Sequence, residues 1–311
     1  MEKECKSEKE EEKRTEWQDF IVRVFSSDDE ERDMLIEQLP EIDVLGDHEY
    51  SLMRFTVSLG DKKMAEYLIK HGSNVNAKLP NGLSILQYAF DSNSEDVAEV
   101  LIEHGADYNI LGEGGMTILM EAARHGYKKI VELLINKGVD INAVDERGKT
   151  ALIYAVGTVK KDVVELLVNH GANLNIADKD GRTALLYAIE EGIQKKGEQF
   201  ENKEVIDNEL VKEMLYELNV AAPRRGREIL KILVEHGADV NAVDNDSLTA
   251  LMIVSIFGDK EIAELLIEHG ADVNARAKDS VTAIMIAAYK NNREIVELLI
   301  NHGAEKPSIG C

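Results

Sequence analysis

Histidine recurs in this sequence at a spacing that invites comparison with metal sites. Six of the eight histidines directly precede a glycine that returns at a fixed interval: His71, His104, His170, His236, His269 and His302. Imidazoles are common zinc ligands, but all ligands of one ion must lie about 2 Å from it. These histidines are separated by whole repeats of sequence, so no two of them can share an ion. A position at a helix C-terminus, where histidine suits the helix dipole, explains the spacing better.

Other residues with catalytic potential lack the surroundings that catalysis needs. Carboxylates are abundant, but no pattern indicates the cleft and tuned environments of a glycosidase-type pair. The segment "GEGG" at 112–115 lacks the Lys-Ser/Thr of a phosphate-binding loop. Cys5 and Cys311 stand far apart with no neighbouring base, which is typical of a reducing compartment rather than a disulfide framework. We therefore predict a protein that is not an enzyme and that uses no metal or cofactor.

Composition and charge narrow the function classes further. The chain has 311 residues, 44% of them hydrophobic, and a formal net charge of −23. Such a surface repels nucleic-acid phosphates and anionic membranes and favours a basic partner, although acidic residues can also serve only to keep a protein soluble. No apolar run approaches the roughly 20 residues that cross a bilayer, and the charged start "MEKECKSEKEEEKR" lacks the apolar core of a secretory signal. We expect a cytoplasmic monomer that binds neither nucleic acid nor membrane.

One phrase of the sequence returns at a constant interval. "LIEHGADVNA" at residues 266–275 has near copies at 101–110 and 233–242. Its glycine recurs every 33 residues, with one interval doubled, at Gly72, Gly105, Gly138, Gly171, Gly237, Gly270 and Gly303. A fixed period of this length indicates a repeat protein whose units stack to share a continuous core.

Residues 145–177 show how one repeat is built. Thr150 can accept a hydrogen bond from an orphan backbone N–H and so begin a first helix, "ALIYAV". The next stretch, "KKDVVELLVNHG", places its apolar residues mostly on one side of a second helix. Gly171 ends that helix, because the residue after a helix often needs a positive φ, and "DERG" has the composition of a turn. Each unit is predicted to be a turn followed by an antiparallel helix pair.

These motifs resemble those of the ankyrin-repeat family. That family's 33-residue unit begins with T-P-L-H-x-A and ends with a phrase like G-A-D-x-N-A. Here the starts include "TALIYA" at 150 and "TALLYA" at 183, and the ends include "GVDINA" and "GADVNA". The similarity spans about residues 46–304 and implies an all-α ankyrin-repeat solenoid of stacked helix pairs with short hairpin turns. The family's histidine slot holds other residues in every repeat, and because that histidine ties neighbouring turns, its absence implies a less rigid row of hairpins.

The doubled interval between Gly171 and Gly237 has two explanations, a worn-down repeat or an insertion within one repeat. Glu204 stands where a worn repeat would carry its glycine, and no "TAL" follows it, so an insertion at about residues 193–225 is favoured. Apolar residues at helical spacing predict an amphipathic helix at 203–219 within this insertion. That helix either packs on the repeats themselves or faces a partner.

The expected domain organisation follows from these assignments. A disordered, charged tail covers residues 1–14, and a single ankyrin-repeat domain covers 15–304. Within that domain, residues 15–45 form a degenerate N-terminal cap, 46–276 are repeats that include the insertion, 277–304 form the C-terminal cap repeat, and 305–311 are a second tail.

The resemblance implies a non-catalytic protein-binding module, since ankyrin repeats usually hold partners with their hairpin tips, the exposed ends of their first helices and their concave face. In this chain the residue before each Thr slot is mostly apolar, where a turn normally carries polar residues, and first-helix ends add aromatic side chains like those of binding hot spots. The predicted contact residues are Tyr50, Leu83, Met116, Lys149, Arg182, Leu248, Val281, Ile256, Phe257 and Tyr289. Tyr88, Tyr154 and Tyr187 also align, and packing between repeats is the role expected of them.

Three other functions stay open on the sequence. The chain could be an acidic inhibitor or immunity-type protein that covers a basic, nucleic-acid-acting enzyme. It could instead sense a small anion such as a nucleotide, although its only tight basic cluster is Arg224, Arg225 and Arg227. A purely structural or designed array is the third, and the insertion and irregular turns argue against it.

Overall fold

The computed structural model describes residues 19–20, 22–37, 52–192 and 226–305. Over these residues the regular structure is helical, and extended pairing is limited to isolated antiparallel bridges such as Leu111 with Thr117 and Val243 with Thr249. The all-α fold class predicted from the sequence is confirmed. Outside the described residues lie 1–14 and 306–311 of the predicted tails, residues 38–51, and the predicted insertion with its helix at 203–219.

Contacts divide the chain into two compact units, Met1–Ile110 and Leu111–Cys311. Each unit is made of short helices that follow one another in pairs. In the first unit the helices are α1 Asp29–Glu37, α2 Leu52–Leu59, α3 Lys62–Lys70, α4 Ile85–Asp91 and α5 Glu95–Glu103. In the second they are α6 Ile118–His125, α7 Lys128–Asn136, α8 Ala151–Gly157, α9 Lys161–Asn169, α10 Ala184–Gly192, α11 Gly226–Glu235, α12 Ala250–Phe257, α13 Lys260–Glu268, α14 Ala283–Tyr289 and α15 Arg293–Asn301.

The first helix of most repeats begins at a hydroxyl side chain. Thr150 Oγ1 accepts a hydrogen bond from the Ile153 N–H at 3.2 Å, as its place in the sequence predicts. Such a bond satisfies one of the four N–H groups that the first turn of a helix leaves unpaired. The same cap, with distances of 3.1–3.3 Å, is present at Ser84, Thr117 and Thr249.

Six of the second helices that the structure describes end at the recurring histidines, and α7 ends at Lys137 instead. In all six, the Nδ1 atom lies 2.7–2.9 Å from the carbonyl oxygen four residues earlier, so the ring is used at the helix end. The glycine that follows has a left-handed backbone, with φ of +83° at Gly171. The prediction that these histidines are helix C-terminal residues is confirmed.

The core of each repeat pair is the apolar side of its two helices. In α8 the buried side chains include Leu152, Ile153 and Val156, and in α9 they include Val163 and Leu167. Each Å² of apolar surface that is buried contributes about 25 cal/mol of stabilisation. An isolated helix pair would leave part of its apolar surface in water. A single helix pair therefore depends on the pairs stacked beside it within the unit.

On either side of residues 193–225 the chain resumes the same helix pair. Helix α10 packs against α11 as the first and second helix of one repeat do elsewhere. Loops of neighbouring repeats are joined by a hydrogen bond in which an Asn Oδ1 accepts a backbone N–H. This bond joins Asn142 and Asn173, which are 31 residues apart in the sequence, and also Asn175 and Asp239, which are 64 residues apart. The loops on either side of residues 193–225 are therefore in direct contact, as the loops of consecutive repeats are elsewhere.

Candidate interaction surface

The hairpin turn of residues 145–149 is built around a buried carboxylate. Asp145 Oδ1 accepts hydrogen bonds from the backbone N–H groups of Arg147 and Lys149, both at 2.8 Å. Its second oxygen, Oδ2, accepts the Tyr154 hydroxyl at 2.6 Å. Burial, together with this bond to Asp145, raises the pKa of Tyr154 to about 12, so the hydroxyl keeps its proton to a higher pH than an ordinary tyrosine does. Turn and first helix are thus joined by one side-chain pair.

The next repeat uses the same device. Asp178 Oδ1 accepts from the N–H groups of Asp180 and Arg182, at 2.9 and 3.0 Å, and Oδ2 accepts the Tyr187 hydroxyl at 2.6 Å. The packing role expected of Tyr154 and Tyr187 therefore includes a specific polar contact within each repeat.

Neighbouring hairpins in this unit are linked through their backbones. The Glu146 N–H donates to the Gly114 carbonyl at 2.8 Å, and the Lys179 N–H donates to the Arg147 carbonyl at 2.9 Å. The Asn245 N–H does the same to the Asp180 carbonyl at 3.0 Å. These bonds provide the turn-to-turn connection that the histidine slot does not supply in this chain.

Lys149 lies between the two tyrosines of adjacent repeats. Its ammonium nitrogen is 4.8 Å from the ring centroid of Tyr187 and 6.0 Å from that of Tyr154. Both distances are within the range of an attraction between a cation and an aromatic ring. The structure thus brings one predicted contact residue together with two residues that align in the sequence.

The ten predicted contact residues fall into three groups. Tyr50 lies outside the described residues. Leu248, Val281 and Ile256 are buried, so the expectation that they are exposed is wrong; their side chains pack into the core beneath the late hairpins and first helix. The remaining six are partly exposed: Leu83 in the first unit, and Met116, Lys149, Arg182, Phe257 and Tyr289 in the second.

The first-helix ends of the late repeats are only partly available. Phe257 and Tyr289 end α12 and α14, which pack together in neighbouring repeats. Asn292 donates its side-chain N–H to the carbonyls of Ser255 and Ile256, at 2.9 and 3.2 Å, and so satisfies the end of α12 from the next repeat. Ile256 is therefore part of a packed helix end, while the two aromatic rings retain partial exposure.

A second row on the same hairpins was not predicted. Leu111, Val144 and Val243 expose 62%, 52% and 47% of their surface, and Ala177 is exposed at the equivalent position of the repeat between them. Each stands six residues after the place of the recurring glycine, so aligning the repeats at that offset would have found them. A row of exposed apolar side chains on successive repeats is a common mark of a binding surface.

With this geometry in place, comparison with known families is decisive. The family model described as "Ankyrin repeats (3 copies)" matches residues 30–112, 52–145, 119–198 and 218–309, which together are well over half of the chain. The chain belongs to the ankyrin-repeat family. No curated protein matches it. The last two matches leave residues 199–217 uncovered, within the segment that the sequence assigns to an insertion.

Ankyrin repeats generally mediate protein–protein interaction and are typically non-catalytic. Across the described part of this ankyrin chain, no cluster of three His, Cys, Asp or Glu side chains is arranged to hold a metal ion. The helices that the structure describes include none long and apolar enough to span a membrane.

Arg227, the described member of the basic cluster, is engaged with carboxylates. Its guanidinium pairs with Asp259, the N-cap of α13, and lies 3.2 Å from Glu261. This pairing lowers the pKa of Glu261 and places Arg227 between two helices of the ankyrin unit. These contacts join neighbouring repeats and already occupy the guanidinium that an anionic ligand would need.

Proposed function

We propose that this ankyrin-repeat chain is a non-catalytic module that binds a basic protein partner, and that the hairpins of Leu111–Cys311 carry the contact. The observation that carries the proposal is the exposed apolar row of Leu111, Val144, Ala177 and Val243. Apolar side chains that a turn exposes to water contribute no burial energy to the free chain. A partner that covers them stabilises the complex by about 25 cal/mol for each Å² removed from water.

Two further features support a contact on this side of the repeats. The same hairpins also carry three partly exposed side chains between their turns and the first helices: Met116, Lys149 and Arg182. The hairpins are joined by backbone hydrogen bonds, so the surface is held in shape before a partner arrives. A surface that is already ordered loses little conformational freedom on binding. Phe257 and Tyr289 extend the proposed surface to the late first helices, and Leu83 holds the same slot in the first unit.

The basic character of the partner is inferred from charge. A net charge of −23 attracts cationic proteins at long range and speeds their encounter, an effect that salt weakens. We further propose that the protein is monomeric and cytoplasmic. The sparse, widely separated cysteines support a reducing compartment.

The experiment is an affinity capture from the source cells at low and at high salt, with three baits. The first is the intact chain, the second carries Leu111→Ser, Val144→Ser and Val243→Ser, and the third carries Leu59→Ser and Ile300→Ser. The control bait removes exposed apolar side chains that lie outside the hairpin row. One basic protein that is lost from the second bait and kept by the third supports the proposal. Equal capture by all three would place the contact elsewhere and refute the proposed surface.

An acidic inhibitor of a basic nucleic-acid-acting enzyme is a special case of the same proposal. The charge of −23 favours it no more than it favours any other basic partner, and inhibition of the captured protein's activity would identify it. A nucleotide sensor is less well supported, because Arg227 is already paired with Asp259 and Glu261.

We also propose one ankyrin domain over residues 15–304, with 15–45 and 277–304 as its caps and about 193–225 as an insertion. The packing of α10 on α11 and the Asn175–Asp239 bond support the insertion.

A further inference from the structure

We propose that Lys149 and the rings of Tyr154 and Tyr187 form the anchor point of the contact surface, and that this point takes a carboxylate side chain, aspartate or glutamate, from an extended segment of the partner. This inference rests on the proposed function, and it names the chemistry at one position of the same surface.

The ammonium group of Lys149 carries a positive charge that no acid of the described residues pairs with. Among the residues that the structure describes, no carboxylate oxygen lies within ion-pair or hydrogen-bonding distance of it, although the chain carries many acidic residues. Other lysines of the unit do find such partners: Lys161 lies 2.7 Å from Glu228, and Lys278 lies 2.7 Å from Asp246. Lys149 thus keeps its charge-assisted hydrogen-bonding capacity for a group from outside.

The Lys149 ammonium group is held in position by its neighbours. The Tyr154 and Tyr187 rings attract the ammonium from two adjacent repeats, and each ring is fixed by its hydroxyl bond to a buried aspartate at 2.6 Å. A lysine on an open surface loses much side-chain entropy when it pairs with an acid, whereas a lysine already held by two rings loses less.

Further cationic side chains and apolar side chains stand on the hairpin of Lys149 and on the next hairpin. Arg147 and Lys179 are exposed on the same two hairpins, next to the apolar Val144 and Ala177. A segment that fits them would carry one acidic residue among apolar ones. The buried Asp145 and Asp178, together with the exposed Glu146 and Asp180, keep the local charge low, which favours a singly charged carboxylate over a doubly charged phosphate.

An acidic anchor is compatible with a partner that is basic as a whole. Attraction at long range depends on the total charge of each protein, whereas a contact within about 4 Å depends on the groups that touch. The net charge of −23 brings the partner close, and Lys149 recognises one residue of it.

The test uses a library of random peptides displayed on phage and panned against the full-length chain. Selected sequences are made as capped peptides in two forms that differ only by Glu or Gln at the acidic position. Binding is measured to the intact chain and to the Lys149→Met, Lys149→Arg and Lys129→Met variants. Lys129 is an exposed lysine on α7, so its replacement removes the same charge away from the hairpins.

We expect the selected peptides to share one acidic residue and to lose at least about tenfold in affinity on Lys149→Met, the effect of one charge-assisted hydrogen bond. Lys149→Arg should restore most of the binding, and Lys129→Met should change nothing. Gln in place of Glu should weaken binding wherever position 149 carries Lys or Arg, and should have no effect on Lys149→Met. Peptides that lack an acid, that require a phosphate, or that bind Lys149→Met as tightly as the intact chain would overturn the inference. A library that yields no binder would overturn it too. Either failure leaves the proposed function to be decided separately by the serine variants of the hairpin row.

Discussion

At the scale of single residues, the aspartate–tyrosine pairs are the contacts that define the hairpins of the second unit. Asp145 is buried and accepts three hydrogen bonds, one of them from Tyr154. A buried carboxylate that loses one donor keeps its charge but not its full solvation, which is costly. The hydroxyl of Tyr154 therefore matters more for stability than a typical exposed tyrosine hydroxyl does.

We predict that Tyr154→Phe lowers the free energy of unfolding by about 1–3 kcal/mol, because it removes a hydrogen bond to a charged, buried acceptor. Urea denaturation followed by circular dichroism measures this loss. Tyr289→Phe is the matched control, since its hydroxyl has no hydrogen-bond partner among the described residues. Equal stability of the two variants would show that the Asp145–Tyr154 bond contributes nothing.

The same tyrosine gives a pH prediction. Its pKa is raised from 10.0 to about 12 in the folded chain, so its contribution to stability is fully present below pH 10 and is lost as the pH rises from there towards 12. Titration of phenolate absorbance should show one fewer late-ionising tyrosine in Tyr154→Phe than in the intact chain. If the variant instead lacks a tyrosine that ionises near the ordinary pKa of 10.0, the raised pKa is contradicted.

One residue of the second unit has a backbone conformation that does not suit its side chain. Val159 joins α8 to α9 with φ of +56°, at the position where other repeats have Gly126 and Gly258. A left-handed backbone costs a side chain with a Cβ about 1–2 kcal/mol, more than the extra flexibility of glycine costs in the unfolded chain. The strain comes from the residue type, since the turn itself is common to the repeats.

We predict that Val159→Gly raises the free energy of unfolding by about 0.5–1 kcal/mol. Val168→Gly provides the opposite sign, because a glycine inside helix α9 should destabilise by about 1 kcal/mol. Thermal denaturation of the two variants beside the intact chain gives the comparison. Destabilisation by Val159→Gly would mean that the valine side chain, rather than the turn, determines the local structure.

At the scale of elements, the period of 33 residues was enough to predict the helix pairs, their caps and the role of the recurring histidines. These features depend on neighbours within a few residues, so a local pattern contains them. The period does not predict which side chains before the first helices are exposed. Leu248 and Val281 occupy the same slot as Lys149, yet packing within the late repeats buries them. The Lys149–Tyr187 contact joins two repeats, and no local pattern specifies it.

The helix pair on either side of residues 193–225 allows a direct test of the insertion. Helices α8 and α9 are joined by residues 158–160 alone, so α10 and α11 should tolerate an equally short connection. We predict that replacing 193–225 with a three-residue linker leaves the helical circular dichroism per residue and a cooperative thermal transition in place. A chain that unfolds on this replacement would show that the segment is a structural part of the repeat.

At the scale of the whole molecule, a strongly acidic chain presents an ordered row of hairpins with exposed apolar side chains. The charge acts at long range and weakens with salt, whereas the row acts only on contact. Salt should therefore reduce the association rate with a basic partner more than it changes the dissociation rate. Stopped-flow kinetics with the captured partner separates the two, and a salt-independent association rate would contradict the role given to the net charge of −23.

Amide hydrogen exchange of the full chain, with and without its captured partner, tests most directly whether the hairpin row holds the partner. We predict that binding slows exchange in the hairpin segments 111–117, 144–150, 177–183 and 243–249, and leaves the second helices α7, α9, α13 and α15 unchanged. Protection confined to those second helices, with unchanged hairpins, would contradict the claim that the hairpin row holds the partner.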